Sequence, residues 1–404
     1  FEIDSLTTCA MGLPKSLLFS FNNPSFMLFS TTIHEGFHQY QHNNFGEIPW
    51  AREEKYPILD IENTALASLE MHILKDALLA MFDEKPFQMK EILKQFVAVR
   101  DYRWRHSDAY IEKYEQGQEI NEGTARFVEM KSVDCFLKLN LKEINNSVLS
   151  QLAEEMADFS IKDLLLEDIE DRLSGAAVAP DDMLRNRIYP VGASLGFLLD
   201  NLKIDWKMDF QAAGSNVSFP GILMKYFNMD ASQLEDYFKK AKTNYPYRDI
   251  YSSAENLINE FLTGYRKVLK DFNNQPGIRI EINFPANGLK RFRSSKEKKW
   301  VTDNGKNTLC SNYNFYSLKN KELRFEINNK ALLEQNEWSK NRRIVVFFSN
   351  NITSVNLDDT FISLTMDINR EFNKIKMVGD DFKFEANKKG KFSSHQNIID
   401  IYIQ

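Results

Sequence analysis

The segment His34-Glu35-Gly36-Phe37-His38 has the residue types and the spacing to do metal chemistry. In a helix, residues four apart stand one above the other on one face, so the two imidazoles can hold one ion. Glu35 then projects beside them, near a water on that ion but not needed as a ligand. Zinc lowers the pKa of such a water to about 7, and the glutamate can take up the remaining proton. The HExxH pattern therefore predicts one Zn2+ per chain, with Glu35 as general base and then acid. The same pattern also arises by chance, usually in polar helices or loops. Here its neighbours are apolar, and two imidazoles with a carboxylate are costly to bury there without partners.

Catalytic zinc sites take three protein ligands and keep one open position. His42 stands eight residues from His34, roughly 12 Å along a helix axis, and cannot join both other histidines on one ion. Gln39-Tyr40-Gln41-His42 also lacks the glycine turn that would bring in a later histidine, so His42 is expected to be solvated or to donate from behind. The better source is Gln118-Glu119-Ile120-Asn121-Glu122-Gly123-Thr124-Ala125-Arg126-Phe127-Val128-Glu129. Asn121-Glu122-Gly123, read as a helix start, sets a carboxylate on the first turn. Gly123 and Ala125 leave room for close approach of the His34–His38 helix.

HExxH followed by a helix with Asn-Glu-Gly-x-Ala resembles the gluzincin group of zinc metallopeptidases. The resemblance covers these two short segments. It implies two histidines and a downstream glutamate as ligands, hence His34, His38 and Glu122 on zinc, and a peptide or protein substrate. The interval from His38 to Glu122 is longer than in the best-known aminopeptidase members and allows an inserted helical pair. Glu119 and Glu129 are rivals to Glu122, and either can instead hold a ligand histidine from behind. Gluzincins often aim a tyrosine or histidine at the oxyanion. Tyr189, in Arg187-Ile188-Tyr189-Pro190-Val191-Gly192, precedes the small residues Ala193 and Gly196 and fits that role; a surface hydroxyl is the plainer reading. Arg103, Arg105 and His106 are weaker candidates that read equally as a solvated charged face.

The elements that must position these groups are mainly helical over residues 1–272. Asn23-Pro24-Ser25 reads as a helix start with Ser25 as cap, and Phe26, Phe29, Ile33, Phe37 and Tyr40 give the helix an apolar face. Gly46 and Pro49 end it. Further helices are expected over 62–80, over 87–115 with an interruption at Gly117, from about 121, and over 146–173, 182–203, 231–242 and 253–272. Asn273 to Gly277 is a linker composition. Beyond it the apolar period becomes two, in Ile278/Ile280/Ile282/Phe284, Leu323/Phe325/Ile327, Phe361/Ser363 and Ile399/Ile401/Ile403, with a continuous apolar run from Arg343 to Phe348. Short alternating strands at such intervals predict a β-sandwich.

Charge changes at the same place. Residues 273–404 carry 22 Lys+Arg against 15 Asp+Glu, a net of +7, which leaves 29 against 42, or −13, before them. Neither part is basic enough for its size to point to nucleic acid. The Lys290–Arg293 and Lys296–Lys299 stretch reads as a solvated loop. No run is long and apolar enough to predict a membrane span. Three distant cysteines, Cys9, Cys135 and Cys310, form no CxxC pair and read as buried free thiols. The sequence starts at Phe1 rather than Met, which reads as a trimmed product with any targeting segment outside it; a secreted or periplasmic setting is the expectation.

The expected architecture is thus α+β and multidomain: a mainly helical zinc-metallopeptidase-like domain over 1–272, then an all-β sandwich-like accessory domain over 273–404. The expected activity is peptide-bond hydrolysis. A zinc hydrolase of esters or glycopeptides, and an inactive binding protein with a vestigial site, are the competing readings; an intact Glu35 speaks against the second.

Overall fold

Proline at position 24 favours a helix start, because its ring fixes φ and its missing N–H is one that a first turn leaves without a partner anyway. In the computed structural model, α1 runs Pro24–Asn44. Ser25, expected as the cap, lies inside the first turn, and Asn23 holds the cap position without a side-chain hydrogen bond. The apolar stripe is only partly covered: Phe26, Phe29, Ile33 and Phe37 are half-buried and Tyr40 is exposed. The buried residues of α1 are Ser30, His34 and Gln41. They share one face, since eleven residues make about three turns. A polar buried stripe must meet polar partners, so α1 packs through polar contacts as well as through Phe26 and Phe29.

The structure describes residues 2–3, 6–7, 23–48, 51–139, 147–173, 180–213, 217–286, 288–337, 341–348, 352–364 and 367–404. They fall into two compact units, Phe1–Ile258 and Asn259–Gln404. In the first unit, α2 (Ile61–Phe82) is capped by Asp60, whose side chain accepts from Asn63 N. It is buried over most of its length and supplies Leu69, Ile73, Leu74 and Leu78 to the core. Helix α3 (Pro86–His106) packs along it. The single helix expected over 87–115 breaks at Ser107, because Asp108 caps a new one, α4 (Ala109–Gln118), by accepting from Tyr110 N.

Gly117 does not interrupt. Helix α4 passes through a π-helical turn, Glu119–Gly123, straight into α5 (Thr124–Leu137). Glu122 therefore sits within a continuous helical run, not on a first turn. Helices α6 (Ser147–Glu155), α7 (Ile161–Leu173) and α8 (Arg185–Asn201) follow. Next come α9 (Trp206–Ala213) and α10 (Phe219–Phe227), which have no counterpart among the expected helices. Helices α11 (Ala231–Asn244) and α12 (Tyr247–Asn273) complete the series. The division at Ile258/Asn259 falls inside α12, and the expected boundary at 272/273 falls at its end. Among the described residues no helix is long and apolar enough to cross a membrane. Cys310 is buried as expected, whereas Cys135 is exposed; Cys9 lies outside the described residues.

The second unit is strand-rich. The alternating residues Ile280, Ile282 and Phe284, then Leu323, Phe325 and Ile327, then Ile399, Ile401 and Ile403, are buried together in one core. Among the described residues thirteen strands are hydrogen-bonded into one sheet. Its spine is the antiparallel pair Asn307–Lys319 and Leu323–Asn336. The second of these strands pairs Phe382–Ala386 at its start and Asn341–Phe348 at its end, so the sheet forks there. The apolar run Ile344–Phe348 lies in one arm of the fork, between that spine and Ile278–Pro285. Phe361, expected in an alternating strand, ends a two-residue strand and is exposed. Lys290–Arg293, expected in a loop, lies on the strand Lys290–Ser294.

Candidate metal centre

Helix α1 brings His34 and His38 to one side with their rings 4.8 Å apart and nearly perpendicular. The π turn supplies Glu122. Its Oε2 lies 3.3 Å from His34 Nε2 and 3.4 Å from His38 Nε2. Charge-assisted N–H···O bonds are shorter, about 2.7–2.9 Å. In a tetrahedral zinc site with bonds near 2.0–2.2 Å, ligand atoms stand roughly 3.3–3.5 Å apart. The two contacts match edges of such a tetrahedron.

The far sides of the rings are also fixed. His34 Nδ1 is 3.2 Å from Glu129 Oε2, and His38 Nδ1 is 2.7 Å from Gln41 Oε1. Both partners are acceptors, which favours the proton on Nδ1 and turns each Nε2 lone pair toward the Glu122 oxygen. Three acceptors facing one point need a cation or extra protons between them. Without a metal, protons fill this role. Burial opposes charge on His34, but its hydrogen bonds to Glu122 and Glu129 outweigh that and push it up to about 9. The Glu122 contact raises His38 against its own burial. Burial pushes Glu122 up, but His34, His38 and Tyr189 together hold it well below the usual carboxylate range. His34, His38 and Glu122 thus form a group able to hold a metal ion.

Local sequence explains the placement. Gly123 of the π turn meets Gly192 of α8: a Cβ on Gly192 would stand 2.3 Å from Gly123 Cα. The expectation was that Gly123 makes room for the histidine helix. Instead it makes room for α8, three residues beyond Tyr189. That approach sets Tyr189 beside Glu122, to which its hydroxyl hydrogen-bonds, and stacks its ring on His34 at 5.7 Å. A π turn widens the helix by one residue per turn and recurs at functional sites; here it carries the carboxylate that faces both histidines.

Gln41 escaped the sequence reading. Its Nε2 donates to Ile120 O at 2.9 Å, Asn121 O at 2.8 Å and Thr124 Oγ1 at 2.8 Å. It therefore ties α1 to the π turn and orients His38 at the same time. The signal was its position: seven residues after His34 and three after His38 is the face of the helix that carries both histidines.

Glu35 is exposed and lines two cavities. The larger, about 690 Å3, also meets His38, Gln41, Asn121, Glu122 and Tyr189. The smaller, about 400 Å3, meets His34, Arg126, Glu129 and again Tyr189. The remaining candidates separate. Glu129 stands behind His34 and also bonds Arg126. Glu119 turns away to Arg100 Nη1 at 2.7 Å. His42 is exposed at the rim of the larger cavity. His106 stacks on Tyr102 and Arg105 pairs with Asp101, both at the surface. Arg103 is neither solvated nor at the metal group; it is fully buried between Glu70 and Glu115.

Comparison of the chain with protein families, with curated proteins and with solved structures finds no match.

Proposed function

We propose that the chain is a zinc-dependent peptidase of the gluzincin type, with His34, His38 and Glu122 as ligands. The observation that carries the reading is the single Glu122 oxygen set at 3.3 and 3.4 Å from two imidazole nitrogens whose other nitrogens are already held. Zinc bound there would supply a water acidified to about pKa 7 and an electrophile for a carbonyl. Glu35, open to both cavities, takes the proton from the attacking water and returns it to the leaving amine. Tyr189, whose hydroxyl hydrogen-bonds to Glu122, donates to the oxygen on which charge develops. His34 and His38 are held in the right tautomer by Glu129 and Gln41 throughout. The fork in the strand-rich unit supports reading it as a sandwich-like accessory domain.

The test is zinc content together with turnover of a general peptide library. About one zinc per chain with hydrolysis is expected. Glu35→Gln should keep the zinc and lose roughly 10²- to 10⁴-fold in turnover, the usual contribution of a general base. Stoichiometric zinc without hydrolysis of any peptide would overturn the peptidase reading, and wild-type turnover in Glu35→Gln would remove the base.

A further inference from the structure

We propose that the smaller cavity is a subsite for a carboxylate of the substrate, bound by the guanidinium of Arg172; this rests on the peptidase reading above. Two arginines line the cavity, Arg126 and Arg172. Arg126 is committed: it bonds Glu129 through Nη1, and Asp168 Oδ2 through Nε at 3.0 Å and Nη2 at 2.6 Å. Arg172 differs. It stands in the last turn of α7 and is half-buried, and its Nε is fully buried with no hydrogen-bond partner among the described residues. A buried donor on a charged group without an acceptor is costly. Arg172 also borders the cavity, and a carboxylate there can take two parallel N–H bonds from the planar guanidinium.

The competing anions in the wall are already engaged. Asp168 Oδ2 accepts from Arg126, and Glu129 is divided between Arg126 and His34. The third carboxylate, Glu35, lies on the side shared with the larger cavity. Because Glu35 and Tyr189 border both cavities, a ligand anchored at Arg172 shares its walls with the groups assigned to hydrolysis. The exposed carboxamide of Asn186 adds a further polar group to this wall. A peptide can present such a carboxylate in two ways, as its C-terminus or as an Asp or Glu side chain.

The experiment measures binding by calorimetry to the full chain after zinc is stripped by chelation, so that no carboxylate can bind metal and no peptide is cut. Four N-acetylated peptides serve as probes: tetra-alanine as free acid and as amide, and Ala-Ala-Ala-Glu-amide against Ala-Ala-Ala-Gln-amide. The acid member of one pair should bind at least about tenfold more tightly, the scale of one hydrogen-bonded charge. Preference in the first pair assigns the subsite to a chain terminus, and preference in the second to an acidic side chain. Arg172→Gln should erase the preference and Arg172→Lys should retain part of it. Equal affinities within both pairs, no binding of any probe at millimolar concentration, or a preference that survives Arg172→Gln would overturn the proposal. The wild-type comparison needs no variant, so poor folding of one does not protect the idea. Failure of the peptidase reading shows separately, as absent turnover after zinc is restored.

Discussion

Replacing Gln41 tests how far the metal group depends on the turn that carries Glu122. The carboxamide is 2% exposed and makes one accepting and three donating contacts. Gln41→Met keeps the volume and removes all four. Thr124 Oγ1 still donates to Ile120 O at 2.6 Å, so that carbonyl stays satisfied. The Asn121 carbonyl and the His38 Nδ1–H each lose a partner. At about 1–3 kcal/mol per buried group left without one, less here because Asn121 and His38 are half-buried, the zinc-free protein should lose roughly 2–4 kcal/mol. Zinc affinity should fall about 10- to 100-fold, the usual effect of removing a group that orients a ligand histidine. Gln41→Glu separates the two effects. It preserves the acceptor for His38 but sets a second oxygen against two carbonyls, so it should destabilise the fold while retaining most of the zinc affinity. Urea midpoints of the zinc-free proteins give the first quantity and competitive chelator titration the second. If Gln41→Met binds zinc within twofold of wild type, or if both variants lose zinc affinity equally, the contact with His38 is not what orients the ligand.

Three further outcomes are expected. Chelator titration should rank Glu122→Ala as the most damaging carboxylate change, beyond 100-fold, with Glu129→Ala at about 10- to 100-fold and Glu119→Ala acting on stability instead; Glu129 ranking first would exchange their roles. Gly192→Ala forces a Cβ to within 2.3 Å of the Gly123 backbone and should cost at least about 1–3 kcal/mol, read as a lower thermal midpoint; an unchanged midpoint would show that the two helices part freely. With pH, His34 in the zinc-free protein holds its proton up to about 9, so that proton stabilises the fold fully below about 6.5 and its contribution is lost as pH rises through 9. Zinc must displace the same proton, so apparent affinity should climb about tenfold per unit between those limits, with proton release measurable by calorimetry in two buffers; a flat profile would contradict the shared proton.

Much of the metal group was legible because it depends on spacing. A spacing of four from His34 to His38 fixes a common face whatever the tertiary fold, and the acidic residue beside Gly123 marks a place where helices can meet. What the glycine meets was not legible: Gly123 and Gly192 are 69 residues apart, and nothing local pairs them. The break at Ser107 was masked because Asp108 lies within a run that is otherwise good helix. The passage through Gly117 was missed because a buried glycine in a helix is held by its surroundings, against its own propensity. In the strand-rich unit the alternation gave the buried faces. The fork could not be seen, since one long strand pairs different neighbours at its two ends and pairing partners leave no trace in periodicity.

The placement of Glu119 ties the π turn into a network of buried charges. Six ionisable side chains, Glu70 from α2, Arg100 and Arg103 from α3, Glu115 from α4, Glu119 from the π turn and Arg187 from α8, are all at most 1% exposed. Buried ion pairs are weak evidence of stability, because desolvation offsets most of the attraction. Their geometry is demanding, though, since each charge left unpaired is costly. Arg103 reaches both Glu70 and Glu115, and Arg100 reaches Glu70 and Glu119, so the register of α2, α3, α4 and the turn is fixed jointly. Arg187 adds α8 through Glu115. Glu122 then emerges three residues after Glu119, and Tyr189 two residues after Arg187 on α8. The carboxylate is thus fixed by charges beneath it, by Gln41 in front and by Gly192 beside it. Glu35, the proposed base, is held by none of these and lines both cavities.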